Sequence, residues 1–572
     1  MAFCWQCIGA WQDSQTTDEG VHLTAGLSYW QAAAWRLNPE HPPLMKLLAS
    51  APVLLLPHAR VSTTDAAWRT GNEWLIAANF LYNSVAASHY GPRVLMLYGR
   101  LPMIGLFLVL LFILYRWAQE HWGHWPALAT LALAAFDPNL LGHGHLVTND
   151  IGVAMLFVAV CWRLEHLLRR PTWRELFVVA GLFGLAELMK FSALILWLIV
   201  PGVAAIRLMF PAGDWSWRWW RRLIISLVVV SFFLTWTMYG FNLSRPDADP
   251  AVAQLWTVRQ TMIDARTVSQ QPRLIQLAIA AANPNHLTGR WLADIEHWTI
   301  PAYWYWRGIF SDLTHNAYGH SAYLLGQVST QGWWYYFPVT VVVKMPPLLL
   351  AIMIFWGGWQ VSRWRHRRRA TSAAERNVFG AGWTMFVPPV IFLWWSLTSH
   401  INIGLRHIFP MYVFVPLTGG SLIFALKRFR SRLVKWLVLA IALISISVSW
   451  HAWPNTIGYF NLMAGGTRGG YRYLLDSNLD WNQDIWRLQT FLHQHHFDHA
   501  HLVLFGSIPY DSVFPGHLSV LTDQDIAAGV RPDGIVVISA GQLYNADGPF
   551  HWLRAYPPTW RVGSSITVYD FR

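Results

Sequence analysis

The stretch L-M-L-Y-G-R-L-P-M-I-G-L-F-L-V-L-L-F-I-L-Y-R at residues 95–116 is almost wholly apolar and has the length of a membrane span. A helix needs about 17–25 mostly apolar residues to cross a hydrocarbon core of about 30 Å. The sequence therefore predicts a polytopic α-helical membrane protein with about 10–11 transmembrane helices. Similar stretches follow at residues 125–141, 149–166, 175–190, 192–207, 223–241, 337–359, 378–397, 408–426 and 434–450.

The composition agrees with a membrane protein. Charged residues make up 13% of the 572 residues, whereas soluble domains carry roughly 25%. The net charge is +12, but most basic clusters occupy short loops, where they orient helices rather than bind nucleic acid. Cys161 lies inside an apolar stretch, and Cys4 and Cys7 form an isolated C-x-x-C, which is a weak metal or redox signal.

The basic loops predict the orientation of the chain. They fall on every second connection between apolar stretches, and basic loops face the cytoplasm. Residues 1–93, 243–336 and 451–572 are then extracytoplasmic, and the transmembrane helices occupy residues 94–242 and 337–450. The basic loops are at residues 116–124, 169–175, 218–222, 363–369 and 427–432.

The predicted extracytoplasmic regions have structure of their own. Residues 42–57 are apolar but short and bounded by prolines, which favours an interfacial helix over a span. In the tail, residues 483–495 have helical periodicity, and residues 500–506, 534–540 and 565–571 are typical of strands. The tail is therefore predicted to form a small C-terminal α/β domain.

Ionisable residues near the ends of the apolar stretches are the candidate functional residues, because polar groups are costly at membrane depth. The predicted topology places them near the extracytoplasmic face. Carboxylates there can take protons or hold hydroxyls, and cations can neutralise an anionic, membrane-borne group such as a lipid phosphate. The candidates are Asp18, Glu19, Glu40, His41, His143, His145, Asp150, Lys190, Lys344, Arg406 and His407.

An ordered set of short motifs carries a resemblance to a known class of enzymes. The motifs are T-T-D-E-G (16–20), N-P-E-H-P-P-L (38–44), D-P-N-L-L-G-H-G-H-L-V-T-N-D (137–150), L-M-K-F-S-A-L (188–194), G-W-W-Y-Y-F-P (332–338) with Lys344, N-I-G-L-R-H (402–407), and Y-F-N (459–461) followed by D-S-N-L-D-W-N-Q-D (476–484). With them the chain resembles the GT-C class of polyprenyl-phosphate-sugar-dependent glycosyltransferases. It is most similar to family 39, which contains protein O-mannosyltransferases and bacterial lipid A aminoarabinose transferases, and within it to bacterial phospholipid-carrier-dependent glycosyltransferases.

The resemblance implies a GT-C fold and roles for individual residues. Asp18 would be the general base, and Glu19 would orient the base or the acceptor. His41 stands where the aminoarabinose transferases have a lysine, so that its charge depends on pH. Family members place a span directly before the D-E motif, whereas only residues 1–11 are apolar here. Either the chain starts outside the membrane or such a span lies upstream of Met1, and we expect the second. The donor-phosphate candidates are Lys190, Lys344, Arg406, Tyr335 and Tyr336, and the acceptor- or sugar-binding candidates are Glu40, His41, Asp150, Asp476 and Asp480.

The implied activity is that of a hexosyltransferase. A sugar would move from an undecaprenyl- or dolichyl-type polyprenyl phosphate to a hydroxyl of a protein, lipid or glycan, with inversion because one base assists a direct displacement. The site would lie at the periplasmic face of a bacterial inner membrane. No nucleotide-binding motif is present, and neither a cofactor nor a metal is expected. The rival hypothesis is a transporter of lipid-linked sugars or an envelope assembly scaffold.

Several candidates keep a second interpretation. Asp18 can act as a helix N-cap, and Lys190 can simply extend to the membrane surface. His143 and His145, together with Asp150, have the donor types of a zinc site. Asp476, Asp480 and Asp484 recur every four residues and would share one face of a helix. On that face, acceptor binding and docking of the tail onto the membrane core explain them equally well.

Overall fold

The computed structural model describes residues 1–209, 214–246, 276, 298–368, 383–426, 431–506, 508–514, 518–522, 524–525, 533–545 and 548–572. Much of the predicted extracytoplasmic loop 243–336 therefore lies outside the described residues. The same holds for parts of the basic loops 363–369 and 427–432 and for the start of the predicted span 378–397.

The N-terminal region consists of five short helices that precede the membrane helices. The third of them continues as a 3-10 turn at Pro52–Leu55 and matches the short apolar helix predicted at residues 42–57. These helices are α1 (Ala2–Gln12), α2 (Glu19–Ala32), α3 (Pro43–Ser50), α4 (Ala66–Thr70) and α5 (Glu73–Ala78).

The polytopic α-helical membrane class is confirmed. In the described part of the chain, six helical stretches are long and apolar enough to cross a membrane: Val85–Trp122, Asn149–Arg169, Phe191–Met209, Trp217–Met238, Leu405–Leu426 and Arg432–Ala452. The helices after α5 are α6 (Val85–Trp122), α7 (His124–Ala135), α8 (Pro138–His143), α9 (Asn149–Arg169), α10 (Trp173–Met189), α11 (Leu196–Met209), α12 (Trp217–Met238), α13 (Tyr303–Tyr318), α14 (Tyr336–Lys344), α15 (Pro347–Arg368), α16 (Trp383–Ser396), α17 (Phe409–Tyr412), α18 (Val415–Leu426) and α19 (Ser431–Ala452).

The predicted spans 125–141 and 337–359 are each divided between two separate helices, so the prediction of one continuous helix was wrong there. The stretch 125–141 is divided between α7 and α8, because Asp137 caps α8 by accepting from the backbone N–H groups of Asn139 and Leu140. The stretch 337–359 is divided between α14 and α15 at the residues before Pro347. Proline lacks the amide donor and disfavours helical geometry in the residue before it, so consecutive prolines interrupt an apolar run without changing its hydropathy.

The centre of the membrane bundle is α9. It packs against α6 and α10, and 83% of its most apolar window is buried inside the protein. The α10 helix ends at Met189, and the next residue, Lys190, has an extended backbone. A 3-10 turn at Phe191–Ile195 then leads into α11. This sharp reversal holds Lys190 at the end of a helical hairpin.

The C-terminal region forms the predicted α/β unit. Its helix Ile485–Gln494 and the strands Ala500–Val503, Ile535–Ser539 and Ile566–Asp570 confirm the sequence prediction, whereas two strands of three residues each were missed. The five-stranded sheet has the order β6 (Leu518–Val520), β5 (Ala500–Val503), β7 (Ile535–Ser539), β9 (Ile566–Asp570) and β8 (Trp560–Val562). Strand β5 is parallel to β6 and β7, and β9 is antiparallel to β7 and β8. The remaining elements are β1 (Leu243–Ser244), β2 (Ile300–Pro301), β3 (Ala322–Leu324), β4 (Gln327–Ser329), α20 (Gly466–Gly469), α21 (Ile485–Gln494), β5 (Ala500–Val503), α22 (Tyr510–Val513), β6 (Leu518–Val520), β7 (Ile535–Ser539), α23 (Ala540–Leu543), β8 (Trp560–Val562) and β9 (Ile566–Asp570).

Candidate functional site

A cavity of about 420 Å³ brings together segments that are far apart in sequence. Its volume is in the range of small-molecule sites, about 300–1,000 Å³. The sequence-predicted residues that line it are Asp18, Glu40, His41, Lys190, Arg406, His407 and Asp476. Further polar lining comes from His22, Glu73, Asp312, His315 and His320.

Three of the site residues lie at helix ends remote from the basic loops. Asp150 is in the first turn of α9, whose last turn carries Arg169. Lys190 follows the last residue of α10, and Arg406 lies at the start of the Leu405–Leu426 stretch. These helices therefore hold the three side chains at the side of the bundle opposite the arginine-rich connections.

A chain of charges connects these residues. Lys190 Nζ donates to Asp150 Oδ1 over 2.6 Å, and the other oxygen of Asp150 is 3.5 Å from Arg406 Nη1. Arg406 Nη2 is in turn 3.4 Å from Asp18 Oδ2. The buried Asp150 thus holds two cations side by side, and one of these cations also faces the first acidic residue.

Asp18 is the most accessible acid of this chain of charges, with a quarter of its side chain exposed. It precedes α2, but its side chain makes no capping hydrogen bond to the helix. The Asp18 carboxylate faces the cavity instead, where it can accept a proton from a bound hydroxyl.

Glu19 points away from the cavity and is completely buried. Its oxygens accept from Arg100 Nε over 2.9 Å, from the backbone N–H of Thr16 over 2.9 Å, and from that of Val147 over 2.8 Å. Burial alone would raise the pKa of Glu19. The Arg100 charge and these hydrogen bonds outweigh that effect, so the pKa of Glu19 lies below its usual value. The ionised Glu19 thereby fixes the segment that carries Asp18.

The loop with Glu40 and His41 is held by a lysine from α3. Lys46 Nζ donates to the carbonyl of Asn38 over 2.6 Å and to that of His41 over 2.7 Å. The His41 ring meets the His22 ring edge-on at 5.2 Å between centroids. Burial, together with the nearby His22 and Lys190, holds the pKa of His41 well below its usual value, so His41 is neutral near pH 7.

The floor of the cavity at Arg406 is made by the segment after the last membrane helix. Arg406 Nε donates to Ser477 Oγ over 3.1 Å, and its guanidinium stacks 4.1 Å from the centroid of the Trp481 ring. Burial raises the pKa of the neighbouring Asp476 to about 6. This carboxyl group therefore titrates close to neutral pH within the site.

Like Glu19 and Asp150, the predicted site residues Lys344, Tyr335, Tyr336 and Asp480 lie outside the cavity lining. Lys344 Nζ donates to the carbonyls of Ile457 and Asn478 over 2.9 and 2.7 Å, deep in the protein. The hydroxyl of Tyr336 accepts from Asn478 Nδ2, and Tyr335 packs on the membrane core. Asp480 is buried and accepts from the backbone N–H of Gly541 over 2.7 Å.

The three aspartates of residues 476–484 do not lie on one helix. Only Asp476–Asn478 is helical, as a 3-10 turn, and α21 begins after Asp484. Asp476 lines the cavity, whereas Asp484 accepts from the backbone N–H groups of Ser564 and Ser565. A shared face required a helix over these residues, and that condition is not met.

The side chains of His143 and His145 contact different partners. His145 contacts Asp13 and Gln6, each over 3.1 Å, whereas the His143 ring packs edge-on against Phe409. Among the residues that the structure describes, no group of three His, Cys, Asp or Glu side chains has the arrangement of a metal site.

Sequence reasoning missed four residues that build the site. Arg100 and Lys46 are fully buried and orient the Asp18 and His41 segments, and Glu73 and Asp312 line the cavity. For Arg100 a signal existed, since an ionisable residue inside an apolar span is itself a functional candidate. Glu73 and Asp312 occur in ordinary polar stretches, where nothing in the sequence distinguishes them from surface residues.

Comparison with known proteins gives a family match for part of the chain. Residues 95–239 match the model of the dolichyl-phosphate-mannose-protein mannosyltransferase family. This match confirms the resemblance to glycosyltransferase family 39 over that part of the chain. No curated protein matches the sequence.

Two solved membrane proteins are structurally similar at low identity. ArnT from Cupriavidus metallidurans bound to undecaprenyl phosphate is 12% identical, with 99% of this chain and 96% of that chain covered and a TM-score of 0.45. The oligosaccharyltransferase of Archaeoglobus fulgidus in the apo form is 11% identical, with 97% of this chain and 72% of that chain covered and a TM-score of 0.43.

Proposed function

We propose that the protein transfers a sugar from a polyprenyl phosphate to an acceptor hydroxyl at the extracytoplasmic face of a membrane. The observation that carries this proposal is the charge chain Asp18–Arg406–Asp150–Lys190 beside a cavity of about 420 Å³. It combines an accessible carboxylate with two cations at the ends of membrane helices. The family match over residues 95–239 supports the same reaction class.

The proposed step is a direct displacement at the anomeric carbon. The acceptor oxygen forms a bond to that carbon while the bond from the carbon to the phosphate oxygen breaks. Asp18 takes the proton of the acceptor hydroxyl, and the released polyprenyl phosphate carries the electron pair of the broken bond. One base and one displacement invert the anomeric configuration.

Lys190 and Arg406 are proposed to hold the donor phosphate. Both cations line the cavity, and negative charge grows on the phosphate as the sugar leaves. Arg406 has a planar fork of donors that suits phosphate oxygens. Since two protein cations can stabilise the leaving group, the proposed step needs no metal or other cofactor.

Asp150 is proposed as the residue that positions both cations rather than one that binds sugar. It is fully buried and contacts Lys190 and Arg406 at once, which uses both of its oxygens. Glu40, His41 and Asp476 remain the proposed sugar or acceptor contacts, since all three line the cavity. The acceptor class is proposed to be a hydroxyl of a protein, lipid or glycan.

The rival proposal, a transporter of lipid-linked sugars, makes a different prediction about covalent chemistry. The test uses proteoliposomes that contain the full chain and polyprenyl-phosphate mannose labelled in the sugar, with a membrane fraction added as the source of acceptors. We expect labelled mannose to appear on endogenous acceptors from the membrane fraction, together with free polyprenyl phosphate. Movement of intact donor between leaflets without cleavage would support the transporter and contradict the transferase.

A further inference from the structure

A second cavity, of about 470 Å³, lies away from the charge chain, where the C-terminal domain meets two other segments. Tyrosines and arginines dominate its walls. The β3–β4 hairpin contributes Tyr323, and the segment after the last membrane helix contributes Tyr471 and Arg472. The C-terminal domain contributes Tyr544, Arg554, Tyr556, Arg561, Thr567 and Tyr569.

The aromatic wall of this cavity is ordered. The rings of Tyr471 and Tyr544 stack with centroids 3.9 Å apart and an angle of 13° between their planes. The Arg554 guanidinium lies 5.4 Å from the centroid of the Tyr544 ring, and its Nε donates to the carbonyl of Leu543 over 2.7 Å. The wall therefore contains a stacked tyrosine pair with a fixed cation over one of its rings.

The sheet edge supplies a further cation on the same face. Arg561 on β8 is paired in register with Thr567 on β9, and Tyr569 lies two residues further along β9. Residues two apart in a strand point to the same side of a sheet, so Arg561, Thr567 and Tyr569 face the cavity together. Arg561 is exposed to solvent.

The charge of this cavity is unbalanced. Within the described ranges, Arg472, Arg554 and Arg561 form no ion pair with a carboxylate, and no acidic side chain lines the walls. Three guanidinium groups without a carboxylate partner favour an anionic ligand, because charge-assisted bonds of Arg to carboxylate or phosphate are strong and directional. The other tyrosines of the walls, Tyr323, Tyr556 and Tyr569, add flat surfaces that suit the C–H faces of a sugar ring.

The β3–β4 hairpin is hydrogen-bonded to the segment that follows the last membrane helix. The backbone N–H of Leu325 donates to the carbonyl of Tyr473 over 3.0 Å, and Leu324 bridges to Leu474. Asp476, which lines the first cavity, follows Arg472 by four residues, so their Cα atoms are at most about 14 Å apart. The two cavities are therefore lined by neighbouring parts of the same segment.

From this combination we infer a binding site for an acid-bearing saccharide, with the arginines holding its acid groups and the tyrosines holding its ring faces. The site is distinct from the charge chain, and saccharide binding there does not depend on sugar transfer. A small inorganic anion would use the arginines but not the aromatic walls, and an acidic peptide would use the charges without stacking on the rings.

The test measures binding of tetragalacturonate to the full chain in lipid nanodiscs by calorimetry, without a lipid-linked donor. We expect Arg561→Gln and the double variant Arg472→Gln/Arg561→Gln to weaken binding by about tenfold or more, as expected for loss of charge-assisted bonds. Arg60→Gln is the matched control, because Arg60 is exposed in the N-terminal region far along the chain from these walls. Arg60→Gln should bind like the wild type.

Two further probes separate the ligand classes. A neutral maltotetraose should bind at least about tenfold more weakly than tetragalacturonate, and so should tetraglutamate. Tetraglutamate binding as tight as the uronate would overturn the saccharide assignment in favour of an acidic peptide. Absence of uronate binding at millimolar concentration, or equal binding by wild type and Arg561→Gln, would overturn the site itself.

Discussion

Lys190 donates to Asp150 over 2.6 Å, although 40 residues separate the two positions in the sequence. The same buried carboxylate faces Arg406 at 3.5 Å. Two cations that would otherwise repel are thus held together at one helix end by one acid. This arrangement leaves both cations along the cavity wall, where they are available to the proposed donor phosphate.

Replacement of Lys190 tests whether this cation serves the donor. Lys190→Gln should lower kcat/KM for the lipid-linked donor by about 100-fold, because a cation at a developing charge is worth about that much. The assay measures transfer of labelled sugar by purified protein in proteoliposomes. Arg174→Gln is the control, since Arg174 is an exposed cation at the opposite end of the same helix. Unchanged turnover of Lys190→Gln would mean that the lysine only extends to the membrane surface.

Arg406→Lys tests whether geometry matters beyond charge. The guanidinium contacts Asp18, Asp150 and Ser477 in three directions, and a single ammonium cannot reproduce this fork. We expect a loss of about tenfold or more in kcat/KM with the protein still folded by thermal unfolding. A fully active Arg406→Lys would show that only the net charge is needed.

The Glu19–Arg100 ion pair should be a stability determinant of the N-terminal region. Glu19→Gln leaves the fully buried Arg100 without its counter-charge, and breaking a buried pair in this way costs about 3–5 kcal/mol. The expected result is a clear decrease in the midpoint of thermal unfolding in detergent. Glu73→Gln is the matched control, because burial raises the pKa of Glu73 and a neutral side chain is tolerated there. Equal midpoints for the two variants would contradict the anchoring role of Glu19.

Asp476 should make stability depend on pH. Burial raises its pKa from 3.8 to about 6, so the folded protein holds a proton in this window that the unfolded chain releases. The free energy of unfolding therefore falls as pH rises from about 4 to about 6. Asp476→Asn removes this titration. The variant should match the wild type near pH 4 and be more stable near pH 7.5, by up to about 3 kcal/mol. Identical stability differences at the two pH values would exclude a raised pKa.

The sequence was informative where a local pattern determines the outcome. Apolar length predicts the membrane helices, and the alternation of basic loops predicts which helix ends carry Asp150, Lys190 and Arg406. The structure places these three together with Asp18 because all four lie at the same side of the bundle. Knowing which end of each helix faces which side of the membrane is enough to predict that these residues lie at the same side.

The sequence could not predict which buried polar groups face the cavity. Lys344 and Lys190 have the same sequence pattern, a lysine at the end of an apolar stretch. Lys344, however, donates its hydrogen bonds to the carbonyls of Ile457 and Asn478 and does not line the cavity. The direction of a side chain depends on packing between distant segments. For the same reason the partners of Asp480 and Asp484 come from the far end of the chain.

The most direct test of the proposed function is the rate of sugar transfer by Asp18→Asn. Asparagine keeps the shape of the side chain but cannot take a proton, and loss of a general base costs about 10²–10⁴-fold. The purified variant in proteoliposomes with labelled polyprenyl-phosphate mannose should unfold at the same temperature as the wild type and bind donor, but transfer sugar at least about 100 times more slowly. Transfer at the wild-type rate would contradict Asp18 as the base and the site built around it.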